Sequence, residues 1–238
     1  MAHIHKGRVV ASRDCIAWNS SMKLFFSRNP NPRLAVAVAR YLRVQIEFQF
    51  AAPFAPGEAE NFRPLNPNLS LPILLDAGTS LWEADAIACR LSRHARSDFW
   101  RAGDAEPDMI RWISWAKENF TRACDMVHFE RGTKQRYGLG PIDAALVEEG
   151  LQKFRTSAAI LEAELAGRAW LLGDAVSYAD FRMATFLPFN DVAQLPLAEF
   201  PAVTRWYARL SALDAWAEPF QGLDAPELPS VPTTAVRG

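Results

Sequence analysis

A single stretch, residues 65–91, constrains the fold of this chain more than any other. A proline opens the short apolar run at 72–75, a tight DAG turn follows at 76–78, and a second short run leads to Glu83. Two such runs joined by a turn that contains Asp and Gly predict a β-hairpin. The segment at about 84–94 is predicted to be a helix that closes this unit.

The residues before this stretch predict a strand, a helix and a second strand. Residues 23–27 form a short strand-like run, and two prolines follow it. Asn31 is a good N-cap and Pro32 suits the first helical position, so a helix is predicted from Pro32 to about Leu42. Apolar and polar residues alternate over 44–50, which predicts a half-buried strand. The order β-α-β, connection, β-β-α is that of an α/β thioredoxin-like domain.

The second half of the chain is predicted to be an all-α domain. One helix is expected from 108 to about 131, and another begins at Pro141. The second carries an apolar stripe whose members lie alternately four and three residues apart, which indicates one continuous buried face. Ser177 and Asp180 have the spacing of a capping box, in which each side chain bonds the other residue's backbone N–H.

Changes in composition indicate where one part of the chain ends and the next begins. The first 21 residues lack the apolar segment of a signal peptide, so we expect an extension or an upstream start codon. The predicted parts are an extension at 1–21, a thioredoxin-like domain at 22–96, a polar linker at 97–107, a helical domain at 108–221 and a loosely held proline-rich tail at 222–238.

Charge and cysteine content exclude several classes of function. The 238 residues carry a formal net charge of −1, which gives no electrostatic reason to expect nucleic acid or an anionic membrane as partner. No apolar run approaches the roughly 18 residues of a membrane span. Cys15, Cys89 and Cys124 have neither zinc-site nor disulfide-framework spacing, so we expect no metal and a reducing, cytoplasmic location.

The stretch at 65–91 resembles the glutathione-binding half of the glutathione S-transferase family. The family pattern there reads approximately N-P-x-G-x-V-P, an apolar strand, a D-G turn and L-x-E-S-x-A-I. The run at 171–180 also resembles the capping box of that family's helical domain, G-x-x-x-S-x-A-D. The resemblance covers about 22–220 and is nearest to bacterial beta- or nu-like members. It implies glutathione as co-substrate, no metal and a homodimer.

The resemblance also implies which residues hold glutathione. Pro72 would be cis, and the N–H and C=O of Leu71 would pair with the cysteinyl backbone like an added strand. The Glu83 carboxylate would take the ligand's ammonium, and the backbone N–H of Ala84 its γ-glutamyl carboxylate. Ala84 replaces the family's serine and Leu69 its glycine, so affinity could be reduced. The alternatives are a trans proline opening an edge strand and ordinary acids in the first turn of a helix.

The group that activates the thiol is expected between the first strand and the first helix. The resemblance places a hydroxyl or thiol there, but residues 27–32 contain neither Tyr nor Cys. The candidates, in order, are Asn31, Ser27 and Asn29, and Asn31 could instead be only a helix cap. Arg28 would favour the thiolate or be simply solvated.

The first long helix carries candidates for the pocket that takes the acceptor substrate. Trp112 and Trp115 lie on one stripe of that helix, and the spacing fits core packing equally well.

The expected function is a glutathione S-transferase that stabilises the glutathione thiolate. The thiolate would attack an electrophilic small molecule, or reduce a disulfide or peroxide. One alternative is a non-catalytic binding or protein-interaction module on the same fold. A further alternative is a lyase or isomerase that uses glutathione as cofactor.

Overall fold

The computed structural model describes residues 22–232. Its first domain is a four-stranded mixed sheet of strand order β2-β1-β3-β4. β1 pairs in parallel with β2 and antiparallel with β3, and β3 pairs antiparallel with β4. The elements are β1 (Met22–Phe26), α1 (Pro30–Tyr41), β2 (Ile46–Phe50), α2 (Ala59–Phe62), β3 (Ile73–Asp76), β4 (Thr79–Trp82) and α3 (Ala84–His94). The predicted α/β thioredoxin-like arrangement is confirmed, and the extension predicted at 1–21, including Cys15, lies outside the described residues.

α1 begins two residues earlier than predicted. Asn29 occupies the N-cap position, without a capping hydrogen bond from its side chain, and Pro30 is the first helical residue. The first N–H groups of a helix have no intrahelical acceptor, so neither Pro30 nor Pro32 removes a hydrogen bond. The assignment of Asn31 as N-cap is therefore wrong, because Asn31 lies within the first turn of the helix.

The second domain consists of helices, as predicted. They are α4 (Glu106–Glu118), α5 (Phe120–His128), α6 (Lys134–Arg136), α7 (Ala144–Leu165), α8 (Tyr178–Met183), α9 (Asn190–Ala193), α10 (Pro201–Ser211) and α11 (Asp214–Ala217). A π-helical turn at Phe129–Thr133 joins α5 to α6. No helix within residues 22–232 is long and apolar enough to cross a bilayer.

Two predicted helix boundaries in this domain are wrong. The helix expected from 108 to about 131 breaks at Asn119, whose side-chain amide donates to the Trp115 carbonyl at 2.9 Å. Asparagine competes with the helix for backbone groups in this way. α7 begins after Asp143 rather than at Pro141, because the Asp143 carboxylate accepts the first free N–H groups of the helix.

The capping box at the start of α8 is confirmed, and it anchors the helical domain. The Asp180 carboxylate accepts hydrogen bonds from the N–H and hydroxyl of Ser177. It also accepts from the Leu171 N–H and the Trp206 indole, each at 2.9 Å. Burial raises the pKa of Asp180, and these hydrogen bonds act in the opposite direction. One buried side chain thus joins the 171–180 loop to α8 and α10.

The tail is tied to both domains over residues 222–232. In the first domain, Arg28 Nε donates to the Ala225 carbonyl at 3.2 Å. In the second, Arg136 Nε donates to the Pro229 carbonyl at 3.1 Å. The prediction of a loosely held tail is therefore wrong for this part of the chain.

Candidate functional site

The pairing of the strands brings the predicted binding residues to one edge of the sheet. Ile73 of β3 pairs with both Phe25 of β1 and Trp82 of β4. β3 runs opposite to its two neighbours, so its start meets their ends. Strands lie about 4.8 Å apart, so this edge is about 10 Å across, a span suited to a short peptide. We call these residues the site edge: Ser27, Leu71, Pro72, Glu83 and Ala84.

The loop that leads into β3 presents the backbone of Leu71. The Leu71–Pro72 bond is cis. Within residues 22–232 the N–H and C=O of Leu71 have no hydrogen-bond partner, so both can pair with an extended ligand. The buried Asn66 shapes the loop, since its amide donates to the Ser70 carbonyl at 2.9 Å and accepts from the Asn68 N–H at 3.0 Å. No role for Asn66 was predicted from the sequence.

Leu69 adopts the left-handed conformation that its glycine counterpart would take easily. Its φ is 58°, and its side chain packs against the small apolar cluster beside the sheet. This conformation costs an L-residue about 1–2 kcal/mol relative to the right-handed one. The loop therefore holds Leu69 in the left-handed conformation, and the packing of its side chain offsets part of that cost.

Glu83 and Ala84 form the start of α3. Glu83 occupies the N-cap position with φ 72°, is exposed, and within the described residues its carboxylate has no hydrogen-bond or ion-pair partner. The N–H groups of the first turn begin at Ala84. A free carboxylate beside a positive helix end can bind the ammonium and the carboxylate of one α-amino acid group.

Asp85 turns away from this edge and joins the two domains. Its carboxylate accepts a hydrogen bond from the Tyr178 hydroxyl at 2.6 Å and pairs with Lys117 at 3.3 Å. Arg182 Nε lies 3.3 Å from it, close enough for an ion pair. The pKa of Tyr178 is raised by burial and by the charge of Asp85, so the hydroxyl stays protonated and donates. Asp85 therefore does not oppose an anion bound at the start of α3.

The candidate activating groups lie in the segment between β1 and α1. Ser27 is nearly buried, and its hydroxyl accepts from the Asn29 amide at 3.2 Å. Asn31 is exposed, and its Oδ1 accepts from Arg182 Nη1 at 2.7 Å. Arg28 is not simply solvated, because it forms an ion pair of 2.9 Å with Glu227 of the tail.

The residues of the second domain that reach this segment were not predicted from the sequence. We call the polar cluster between the domains the domain seam, and it comprises Asn31, Asp85, Lys117, Tyr178 and Arg182. Arg182 lies two residues beyond the capping-box aspartate, on the same short helix. That proximity was the one available signal, because a charged residue beside a buried cap has to find its partner elsewhere.

Trp112 and Trp115 of α4 contact each other edge to face, with their ring centroids 5.5 Å apart. Trp112 is only 5% exposed and belongs to the main hydrophobic core, while Trp115 is partly buried against that core. Their surroundings favour core packing for Trp112 and leave Trp115 as the accessible member of the pair.

Comparison with known proteins finds matches to one family. The family model described as "Glutathione S-transferase, C-terminal domain" matches residues 125–214. The probable glutathione S-transferase GSTF2 of Oryza sativa is 29% identical over 183 residues, which cover 75% of this chain and 83% of the relative.

Two solved structures share the fold. Glutathione S-transferase I bound to lactoylglutathione superposes with a TM-score of 0.76 at 22% identity, covering 84% of this chain and 98% of the other. A glutathione transferase family member from Pseudomonas fluorescens, with two glutathione bound, gives 0.72 at 19% identity, covering 85% and 93%.

Proposed function

Because this chain belongs to the glutathione S-transferase family, we propose that it binds glutathione along the site edge and activates the thiol. The thiolate would attack an electrophilic small molecule, or reduce a disulfide or peroxide. The observation that carries the proposal is the meeting of three free groups at one edge of the sheet: the Leu71 backbone, the Glu83 carboxylate and the start of α3.

Each group of the site edge would hold one part of the tripeptide. Leu71 would pair with the cysteinyl residue through its N–H and C=O, as one more extended strand. Glu83 would bind the ammonium, and the N–H of Ala84 the γ-glutamyl carboxylate. The two structures bound to glutathione or a glutathione derivative support this choice of ligand.

Asn31 is the best placed of the three candidates to act on the sulfur. Its Oδ1 is taken by Arg182, so its amide nitrogen can donate. The Asn29 amide is already bonded to Ser27, whose hydroxyl lies in a nearly buried position. A free thiol of pKa about 8.5 is only a few per cent ionised at pH 7, so one donor to the thiolate raises the reactive fraction. The chain would supply positioning and thiolate stabilisation.

Titration calorimetry with reduced glutathione tests the binding proposal. We expect saturable binding by the wild type and about tenfold weaker binding by Glu83→Ala, since a charge-assisted hydrogen bond contributes about 1.5–3 kcal/mol and Glu83 is exposed. Glu149→Ala, which removes a surface carboxylate on α7, is the matched control. No binding by the wild type at several millimolar glutathione would contradict the proposal.

Turnover with a simple aromatic halide separates the enzyme from its main alternative, a non-catalytic binding module. Three departures from the family pattern favour that alternative: no Tyr or Cys at 27–32, Ala84 in place of serine, and Leu69 in place of glycine. Conjugate formation that falls in Asn31→Ala while glutathione affinity holds would support the enzyme. Tight binding without turnover of halide, disulfide or peroxide would support the module.

We also propose that the chain forms a homodimer in the cytoplasm. Phe54, in the connection after β2, is 77% exposed, and an exposed aromatic side chain of this kind is suited to contact with a second chain. Light scattering of the purified protein measures the assembly. A single-chain mass at micromolar concentration would contradict the dimer.

A further inference from the structure

We propose that Arg182, from the helical domain, is a positioning residue that orients the Asn31 amide so that its NH₂ group faces the glutathione sulfur. The inference rests on the proposed function. It concerns a residue 151 positions away from its target, and it gives the domain seam a part in the chemistry.

The hydrogen-bonding chemistry of the pair fixes which atom of the Asn31 amide faces Arg182. Arginine carries only donors, so the Asn31 atom that it contacts at 2.7 Å has to be the carbonyl oxygen. An amide has its oxygen and nitrogen on opposite sides of one carbon. Fixing Oδ1 toward Arg182 therefore directs Nδ2 away from the guanidinium, and within residues 22–232 Nδ2 donates to no other group. A free asparagine could present either atom to the sulfur, and its oxygen would repel a thiolate.

The guanidinium of Arg182 is itself held in place. Arg182 is only 7% exposed, and it belongs to α8, whose start is anchored by the buried carboxylate of Asp180. Asp85 lies beside its Nε at 3.3 Å. A buried cation with a fixed counter-ion has few alternative positions, so it can hold the amide in a single orientation.

The charges around the pair are balanced. Asp85 is bonded by the Tyr178 hydroxyl and paired with Lys117. Burial raises the pKa of Asp125, while the cations Arg122 and Arg182 act in the opposite direction. Asp85 and Asp125 thus lie near Arg182 and balance its charge. Within residues 22–232 the hydrogen bond of its guanidinium goes to Asn31 Oδ1, through which its charge polarises the amide and strengthens the N–H as a donor.

The experiment is a double-mutant cycle read by the pKa of the bound thiol. Glutathione-saturated protein is titrated with base, and the thiolate is followed by its ultraviolet absorbance in wild type, Arg182→Lys, Asn31→Ala and the double variant. We expect Asn31→Ala to raise the thiol pKa by about one unit, a tenfold change in the ionisation constant. Arg182→Lys should raise it by about half a unit in the wild-type background and by nothing in the Asn31→Ala background.

The same samples give a kinetic readout. In Arg182→Lys we expect kcat to fall about threefold while KM for glutathione is unchanged, since the thiolate fraction changes and the peptide contacts do not. Arg182→Gln retains a donor without the charge, so it should keep the orientation of the Asn31 amide but lose the polarisation. Its thiol pKa should lie between the values of Asn31→Ala and of the wild type. An equal effect of Arg182→Lys in both backgrounds would show a merely structural role and overturn the inference.

A second variant keeps the test decisive if changes at Arg182 prevent folding. Asn31→Asp leaves Arg182 untouched and still offers it an oxygen, but it places an anionic oxygen where Nδ2 was. If Nδ2 faces the sulfur, Asn31→Asp raises the thiol pKa further than Asn31→Ala does. Equal pKa values in these two variants overturn the inference.

Calorimetry on each variant separates this inference from the proposed function. Saturable glutathione binding with a thiol pKa that no Asn31 variant changes would overturn the role of Arg182 and leave the glutathione site in place. Absence of binding by the wild type would overturn both.

Discussion

The two domains treat their polar groups in opposite ways. At the site edge of the thioredoxin-like domain, the Glu83 carboxylate and the Leu71 backbone are left without partners among the described residues. In the helical domain, Asp180, Tyr178 and Arg182 are buried, and each is bonded to a defined partner. Unpaired polar groups at the surface are suited to binding a ligand, whereas buried groups that bond a defined partner fix geometry. The comparison predicts large stability effects in the second domain and small ones at the site edge.

The largest effect is expected for Asp180→Ala. The change leaves the Leu171 and Ser177 N–H groups and the Trp206 indole without an acceptor in the protein interior. With about 1–3 kcal/mol for each group left unsatisfied, we expect a loss of about 4 kcal/mol, measured by urea unfolding. Asp174→Ala, an exposed carboxylate in the same loop, should change stability by less than about 0.5 kcal/mol. Similar losses in the two variants would contradict the stabilising role assigned to the buried Asp180 carboxylate.

The second effect is a pH dependence that arises from His128. Burial lowers the pKa of His128 to about 4, and the neighbouring Arg136 acts in the same direction. The unfolded chain, with a histidine pKa near 6.5, binds more protons between these values, so stability falls as the pH drops from 6.5 to 4 and levels off below. At about 1.4 kcal/mol for each unit of difference in pKa, the loss in the free energy of unfolding approaches about 3 kcal/mol.

His128→Gln tests this assignment. Unfolding free energies of wild type and variant, measured from pH 4 to 7, should converge as the pH falls, because only the wild type loses stability through this histidine. His94→Gln, at the exposed end of α3, is the control. A constant difference between wild type and His128→Gln across the range would contradict the assignment.

Tyr178→Phe should have an intermediate effect. The variant loses the hydroxyl that donates to Asp85 at 2.6 Å and keeps the ring that packs against Phe99 and Trp100. A hydrogen bond to a charged group contributes about 1.5–3 kcal/mol, so we expect a loss of about 2 kcal/mol with little change in glutathione affinity. Tyr137→Phe, at a half-exposed ring, is the control.

The smallest stability effect is expected for Glu83→Ala. Its carboxylate has no partner within residues 22–232. The free energy of unfolding, measured by thermal denaturation, should therefore change by less than about 0.5 kcal/mol, although the affinity for glutathione falls. A loss of stability as large as that of Tyr178→Phe would show that Glu83 takes part in a stabilising interaction, as the residues of the domain seam do.

Local patterns predicted most of the fold, because their causes lie within a few residues. The alternation in β2, the DAG turn between β3 and β4 and the capping box at Ser177 each depend on neighbours in sequence. The start of α1 was misplaced because two prolines are tolerated in one first turn. The break at Asn119 was missed because a side chain, rather than Gly or Pro, interrupts the helix.

The candidate site was predictable only as far as the resemblance reached. Leu71, Pro72 and Glu83 follow each other in a recognisable order, and the strand register brings them together. The left-handed φ of Glu83 and the inward direction of Asp85 carry no sequence signal. Nor does the contact between Asn31 and Arg182, which depends on how two domains pack.

That last contact has a consequence for how the protein is made. Asn31 is synthesised 151 residues before Arg182. At a synthesis rate of about 5–20 residues per second, the interval between them is about 8–30 s. During that time the whole thioredoxin-like sheet can form, since its strands end at Trp82. On the growing chain, the residues that we propose to hold glutathione are thus synthesised before Arg182, which we propose to orient the amide, so the proposed binding groups precede the group that would prepare the thiol for reaction.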